Sequence, residues 1–343
     1  MTTAVVICPG RGTYNRGELG YLARHFPDPS LLDAFDAHRA ATGQDGLRAL
    51  DGRDRFSAAT HTRGDNAAGL IYAATLGDFL SIKRDEIEIV AVTGNSMGWY
   101  SALACGGALS AQDGFQVANT MGTLMHRAMI GGQLIHPWVD ADWHPHPARK
   151  AELMALVGTI NRRDGHDLFL SIDLGGMLVL AGNEPGLTAF EAAVEPEQDR
   201  FPMRLAHHAA FHTPLQAPVA QQGRAHLPSG FFRQPTLPLI DGRGTIWWPG
   251  ASDTEALWDY TLGAQVVQPY DFSRAITIAA REFAPDLFLI TGPGTTLGSA
   301  VAQSLILANW QGLTDKSSFQ TLQNTTPVLS SMGRDDQRGL VCI

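Results

Sequence analysis

The chain is poor in the features that mark several large classes of protein. Three cysteines in 343 residues, Cys8, Cys105 and Cys342, are too few and too scattered for a disulfide framework or a zinc site, and point to a reducing, cytoplasmic setting. No apolar run reaches the roughly 18 residues that a membrane span needs. No basic segment precedes a long apolar stretch at the start, so Met1 to Cys8 reads as a first strand and not as a signal peptide. No Lys/Arg cluster offsets the net charge of −9, which argues against nucleic acid as the main partner. The Gly-rich loop at 10–12 lacks both the lysine of a P-loop and a full dinucleotide fingerprint. The one His/Asp-rich stretch, Asp140 to His146, is broken by proline and reads as a solvated loop, so no metal and no bound cofactor are expected.

What is present is ordinary globular composition, 44% hydrophobic and 17% charged, in a chain long enough for two domains or for one domain with an insertion. Ala4-Val5-Val6-Ile7-Cys8 is a continuous apolar strand of the kind buried on both faces of a parallel sheet. Helical patterns follow at 17–25, 30–40 and 66–82, a second strand at Glu88 to Val92, and a helix capped by Ser110 and running to about Ile130. This alternation predicts an α/β fold. The pattern shifts near Gly131. Strand (Gln133 to Val139), helix (Ala148 to Ile160), two strands (Leu168 to Leu180), helix (Leu187 to Val194) and strand (Met203 to Ala206) make a βαββαβ order, the ferredoxin-like arrangement. The expected organisation is a parallel-sheet body at 1–130 and 207–308, a small inserted subdomain at 131–206, and an irregular tail at 309–343.

The segment Gly94-Asn95-Ser96-Met97-Gly98 follows the second strand, and a helix opens after it without a breaker. That is G-x-S-x-G in the context of a nucleophile elbow. There the serine sits on a sharp strand-to-helix turn, and the next backbone N–H is free to hold an oxyanion. A base is then needed, and twelve histidines compete. His212 stands out because it is flanked by Phe211 and precedes a proline-marked helix start at Pro214; spacing alone leaves His207 and His208 open.

Four segments in order settle the comparison. Pro9-Gly10-Arg11-Gly12-Thr13 resembles P-G-Q-G-S, Gly94 to Gly98 resembles G-H-S-L-G, Phe211-His212-Thr213-Pro214-Leu215 resembles F-H-S-P-L, and Gly292-Pro293-Gly294 resembles a late G-P-G. Together they resemble the malonyl-CoA:acyl carrier protein transacylase family, the acyltransferases of fatty acid and polyketide synthesis, over roughly residues 3–305. The resemblance implies a hydrolase-like α/β body with a ferredoxin-like insertion. It implies Ser96 as nucleophile, His212 as base, and the backbone N–H groups of Arg11 and Met97 as oxyanion donors. It also implies a backbone carbonyl at Gln268 orienting the histidine. Coenzyme A or phosphopantetheine thioesters would be the substrates, and an acidic acyl carrier protein the partner, met by a local basic surface to which Arg162, Arg163 and Arg204 are candidate contributors. A hydrolase that clears acyl groups from carrier proteins is the alternative on the same fold.

The departures from the family pattern bear on the acyl group. Malonyl-specific members carry an arginine 25 residues after the serine, where a planar bidentate donor pairs with the free carboxylate. An ungapped count from Ser96 reaches Met121. Arg127 lies six residues further, about 240° round a helix, and points elsewhere. A thioether cannot neutralise a carboxylate, so Met121 predicts a neutral acyl group, with Asn95 and Trp99, which replace a histidine and a glutamate, reshaping the same pocket. Arg11 replaces a glutamine. It adds a positive charge near the cleft, for a phosphate of coenzyme A or as a solvated loop residue.

Overall fold

The computed structural model describes residues 1–342. Its strands, in chain order, are β1 (Thr2–Cys8), β2 (Ile87–Gly94), β3 (Gly132–Pro137), β4 (Leu168–Leu174), β5 (Met177–Gly182), β6 (Met203–Arg204), β7 (Leu239–Ile240), β8 (Ile246–Trp247), β9 (Tyr270–Asp271), β10 (Leu287–Ile290) and β11 (Leu329–Ser331). Two sheets result. The first has the order β11-β10-β1-β2-β7-β8 and is parallel except for the final β7–β8 pair. Its middle strand β1 is buried from Ala4 to Cys8, as a continuous apolar run in the centre of a helix-covered sheet must be. The second sheet has the order β6-β3-β5-β4-β9. Its β3, β4, β5 and β6 pair antiparallel, in the order of a ferredoxin-like unit, with the helices Pro147–Asn161 and Glu184–Ala193 as its crossovers. A separate apolar cluster, including Leu134, Leu153, Leu180 and Phe190, packs this second unit.

Local signals in the sequence explain several element ends. Ser110 caps the helix Ala111–Ala128 by accepting a hydrogen bond from the Asp113 N–H, and Asn183 caps Glu184–Ala193 through the Gly186 N–H. The helix Gly64–Leu80, rich in alanine and glycine, is buried along almost its whole length, packed against Ala111–Ala128.

Two expectations need correction. The segment 131–206 does not hold its sheet alone: β9, from the body, adds a parallel edge strand beside β4, with Ile172 opposite Tyr270. The tail is not irregular. It carries the helices Lys316–Thr325 and Asp335–Val341, and between them β11 pairs in parallel with β10. A three-residue strand is too short to show a period, and the last helix is fixed by a long-range contact instead. Arg338 donates from Nη1 to Asp78 Oδ1 (2.6 Å), while Asp78 Oδ2 accepts from Tyr21 Oη (2.7 Å) and the Gly292 N–H (2.6 Å). Among the described residues no helix is long and apolar enough to cross a membrane.

Candidate active site

The register of β1 against β2 brings two loops together at the carboxyl ends of the strands. Cys8 lies opposite Gly94, and the Asn95 N–H donates to the Cys8 carbonyl at 2.9 Å. The approach is so close that only glycine fits. A Cβ on Gly98 would lie 2.2 Å from the Cys8 carbonyl oxygen, and one on Gly10 would lie 2.5 Å from that of Asn95. These glycines let the Pro9–Arg11 loop press against the elbow. Ser96 itself adopts φ 56°, in the left-handed region that β-carbon-bearing residues avoid. The turn is strained, and the strain projects the hydroxyl off the sheet edge.

Ser96 Oγ lies 2.8 Å from His212 Nε2, and His212 Nδ1 lies 2.6 Å from the carbonyl oxygen of Gln265. A carbonyl can only accept, so Nδ1 carries the proton and Nε2 presents its lone pair to the serine hydroxyl. His212 also stands at positive φ, 57°. The other two histidine candidates separate cleanly from it: His207 is exposed, and His208 Nδ1 is engaged with Gln133 Oε1 at 2.8 Å.

The orienting carbonyl belongs to Gln265 and not to Gln268, whose side chain is exposed and whose N–H closes a helical turn onto Ala264. The reason lies in the sequence. In a helix the carbonyl of residue 265 would be taken by the N–H of residue 269, which is Pro269 and has none. The proline leaves one helical carbonyl unpaired, and His212 occupies it. Gln265 was missed as a functional residue although this signal was available. Its side chain adds two more ties: Nε2 donates to the Ser96 carbonyl (3.1 Å), and Oε1 accepts from Tyr100 Oη (3.1 Å). Tyr270 Oη donates to the Gly94 carbonyl (2.5 Å), fixing the elbow from the opposite side.

No family model matches the chain. It is 22% identical over 300 residues to the malonyl CoA-acyl carrier protein transacylase of Salmonella typhimurium, covering 87% of this chain and 91% of that protein. The fold superposes on the malonyl-CoA:ACP transacylase of Synechocystis sp. PCC 6803 with a TM-score of 0.72 at 18% identity, over 99% of this chain and 100% of the other. It superposes also on a type II polyketide malonyl-transacylase solved in complex with its acyl-carrier protein, with a TM-score of 0.71 at 20% identity, over 99% and 98% of the two chains. The chain is similar in sequence and in fold to malonyl-CoA:acyl carrier protein transacylases.

In this transacylase relative, burial sets the electrostatics of the site. It pushes the His212 imidazole down to about 4, opposed by the hydrogen bond to Gln265, so the ring is neutral and able to accept a proton at neutral pH. The backbone N–H groups of Arg11 and Met97 have no acceptor among the described residues.

A cavity of about 90 Å³ opens on Ser96, lined among others by Arg11, Asn95, Ile172, His208 and Phe211. A hollow of about 290 Å³ shares Arg11, Leu205 and His208 with it. A hollow of about 540 Å³ on the second unit, around His136 and Arg149, holds no serine or cysteine and stands apart from the chemistry. Of the three expected acyl-pocket residues only Asn95 lines the cavity. Trp99 is fully buried, donating from Nε1 to Thr261 Oγ1 (3.0 Å) and meeting Tyr260 edge-on. Met121 is fully buried against the helix Ala217–His226, its sulfur facing Gly223. Both were expected in the pocket because they stand at the positions of the family's arginine and glutamate, but the side chains leave the helices toward the core. Arg204 is also spent, held by Glu184 (2.9 Å) and Glu191 (2.7 Å).

Proposed function

We propose that the chain is a serine-dependent acyltransferase that moves an acyl group from a coenzyme A or carrier-protein thioester to the phosphopantetheine thiol of an acyl carrier protein. The observation that carries this is the unbroken chain from Ser96 Oγ through His212 to the Gln265 carbonyl, at 2.8 and 2.6 Å. Ser96 gives its proton to His212 Nε2 as Oγ attacks the thioester carbonyl, and the imidazolium is held by the Gln265 carbonyl. The N–H groups of Met97 and Arg11 receive the developing oxyanion. Collapse breaks the C–S bond, and the His212 proton goes to the departing thiolate. The acceptor thiol then repeats the steps in reverse and frees Ser96. The named activities of the relatives and the carrier-protein complex of one structural neighbour support the same reading. With Arg204 neutralised by two glutamates, Arg162 and Arg163 remain as candidates for the basic carrier-docking surface.

The expectation of a neutral acyl group rested on Met121. Because that side chain does not line the cavity, its identity says only that the helix Ala111–Ala128 supplies no carboxylate partner from that position.

The test is intact-mass analysis of the enzyme after exposure to acyl thioesters, followed by addition of holo acyl carrier protein. An acyl adduct absent from Ser96→Ala and passed to the carrier thiol supports transfer. An adduct released as free acid at the same rate with or without carrier replaces transfer by hydrolysis. A folded enzyme that forms no adduct removes the acyl-serine reading altogether.

A further inference from the structure

We infer that Tyr270 is a positioning residue of the acylation dyad: its hydroxyl holds the nucleophile elbow and its ring covers the base, from the strand that joins the two sheets. The inference rests on the acyl-serine reading above, and adds to it a residue that touches neither the substrate nor the reacting atoms.

The need for the hydroxyl arises where the first sheet runs out. Gly94 is the last residue of β2, and the strands on either side end beside it. On one side β1 stops at Cys8 and is followed by Pro9, which has no N–H to give. On the other, β7 stops at Ile240, opposite Thr93, and the N–H of Gly242 beyond it is taken by Tyr260 Oη at 2.9 Å. A buried main-chain carbonyl left without a donor is costly. Tyr270 Oη supplies that donor, 2.5 Å from the carbonyl oxygen of Gly94. The bond fixes the peptide from which the strained turn at Ser96, with its φ of 56°, departs.

The ring serves the other half of the dyad. Its centroid lies 5.4 Å from that of the His212 imidazole, with the planes at 52°, and both side chains are buried. The backbone of Gly242 presses on the ring so closely that a Cβ there would lie 2.5 Å from its carbons, which leaves the ring one place to be. Tyr270 also stands on β9, opposite Ile172 of β4, and Ile172 lines the Ser96 cavity. One residue thus bonds to the elbow through its side chain and pairs through its strand with the wall that the second unit gives the cavity.

The titratable groups round the pair leave the control of His212 to this packing. Burial pushes the hydroxyls of Tyr100 and Tyr260 up, Asp241 is paired with Arg243 at 2.8 Å, and Cys8 lies on the far side of Tyr270 from no charge of its own pairing. Arg11 and His208 sit against the Phe211 ring, at 5.5 and 5.8 Å from its centroid. The imidazole itself is lowered by burial, with the Gln265 carbonyl opposing.

The test reads the dyad without reference to the acyl group. A fluorophosphonate labels an activated serine: Ser96 Oγ displaces fluoride from phosphorus as the hydroxyl proton passes to His212. Intact mass follows the rate, saturation separates the limiting rate from the binding constant, and a pH series gives the acid limb. Tyr270→Phe keeps the ring and removes the hydroxyl. The expected result is a limiting rate roughly tenfold lower, with the binding constant and the acid limb unmoved. In Tyr270→Leu the rate falls at least as far, and the acid limb moves up by on the order of one pH unit as water reaches the imidazole. Tyr72→Phe is the matched control. Tyr72 Oη donates to the Ala111 carbonyl at 2.8 Å and lines neither the Ser96 cavity nor the hollow beside it, so its loss is expected to lower the unfolding midpoint and leave labelling as it was. The comparison of Tyr270→Phe with Tyr72→Phe decides the matter even where Tyr270→Leu does not fold. Labelling of Tyr270→Phe at the unmodified rate, or an acid limb unmoved in a folded Tyr270→Leu, overturns the inference and leaves the acyltransferase reading intact. Failure of the fluorophosphonate to label Ser96 in the unmodified enzyme overturns both.

Discussion

Lowering the pH is the most direct probe of the dyad, because the acid limb of Ser96 acylation reports how much His212 is free to act as a base. Burial holds its pKa at about 4 against an ordinary 6.5. At pH 5.5 an ordinary histidine is about 9% neutral, whereas one at 4 is roughly 97% neutral, and one anywhere below 5 is still more than about 75% neutral. Single-turnover acylation, quenched and read by mass from pH 4.5 to 8, is thus expected to hold near its plateau at pH 5.5 and to decline only below about 5. A rate at pH 5.5 cut to about a tenth of the plateau would refute the reasoning, since it would place His212 in a hydrated environment or transfer its role to another group. Stability moves the other way. The unfolded chain takes up the proton from pH 6.5 downward and the folded one only near 4. Each pH unit in that window therefore costs the folded state up to about 1.4 kcal/mol from this residue.

Five substitutions test the remaining structure. Gly98→Ala places a methyl 2.2 Å from the Cys8 carbonyl oxygen; the forced separation of the two loops is expected to cost about 1–3 kcal/mol in thermal or denaturant unfolding and on the order of a hundredfold in acylation rate. Met121→Ala removes a fully buried side chain and should cost about 2–5 kcal/mol in thermal or denaturant unfolding. Arg338→Ala leaves Asp78 buried without its cation, with an expected loss of about 3–5 kcal/mol and early proteolytic release of the segment after Asn309. Gln265→Ala, by removing the tie to the Ser96 carbonyl, is expected to slow acylation about fivefold, one hydrogen bond's worth, whereas Gln268→Ala should leave it unchanged.

The order of strands and helices was legible in the sequence because each element carries its own period, cap or apolar run, as Ala4 to Cys8 and Ser110 do. Ser96 and His212 were legible because a strained turn and a proline-started helix leave local marks. What sequence distance could not supply was direction. Met121 and Trp99 sit near the serine along the chain but turn their side chains into the core, whereas Arg11, far from the serine along the chain, reaches the cavity through the pairing of β1 with β2. The tail was misread because its fixing contact, Arg338 to Asp78, spans 260 residues. Gln265 was missed for a different reason: its part in the dyad is played by the main chain, and the only local trace is the absent N–H of Pro269.

That main-chain acceptor has a consequence for how the site tolerates change. A carboxylate in its place would gain a proton in acid and release the imidazole, and any substitution of it would be felt at once. An amide carbonyl has no proton to gain in the working range of pH, and every amino acid carries one. The histidine's anchor is therefore indifferent to acid and invisible to side-chain mutagenesis, and only a change that shifts the backbone around Pro269, or gives residue 269 an N–H, can compete for it.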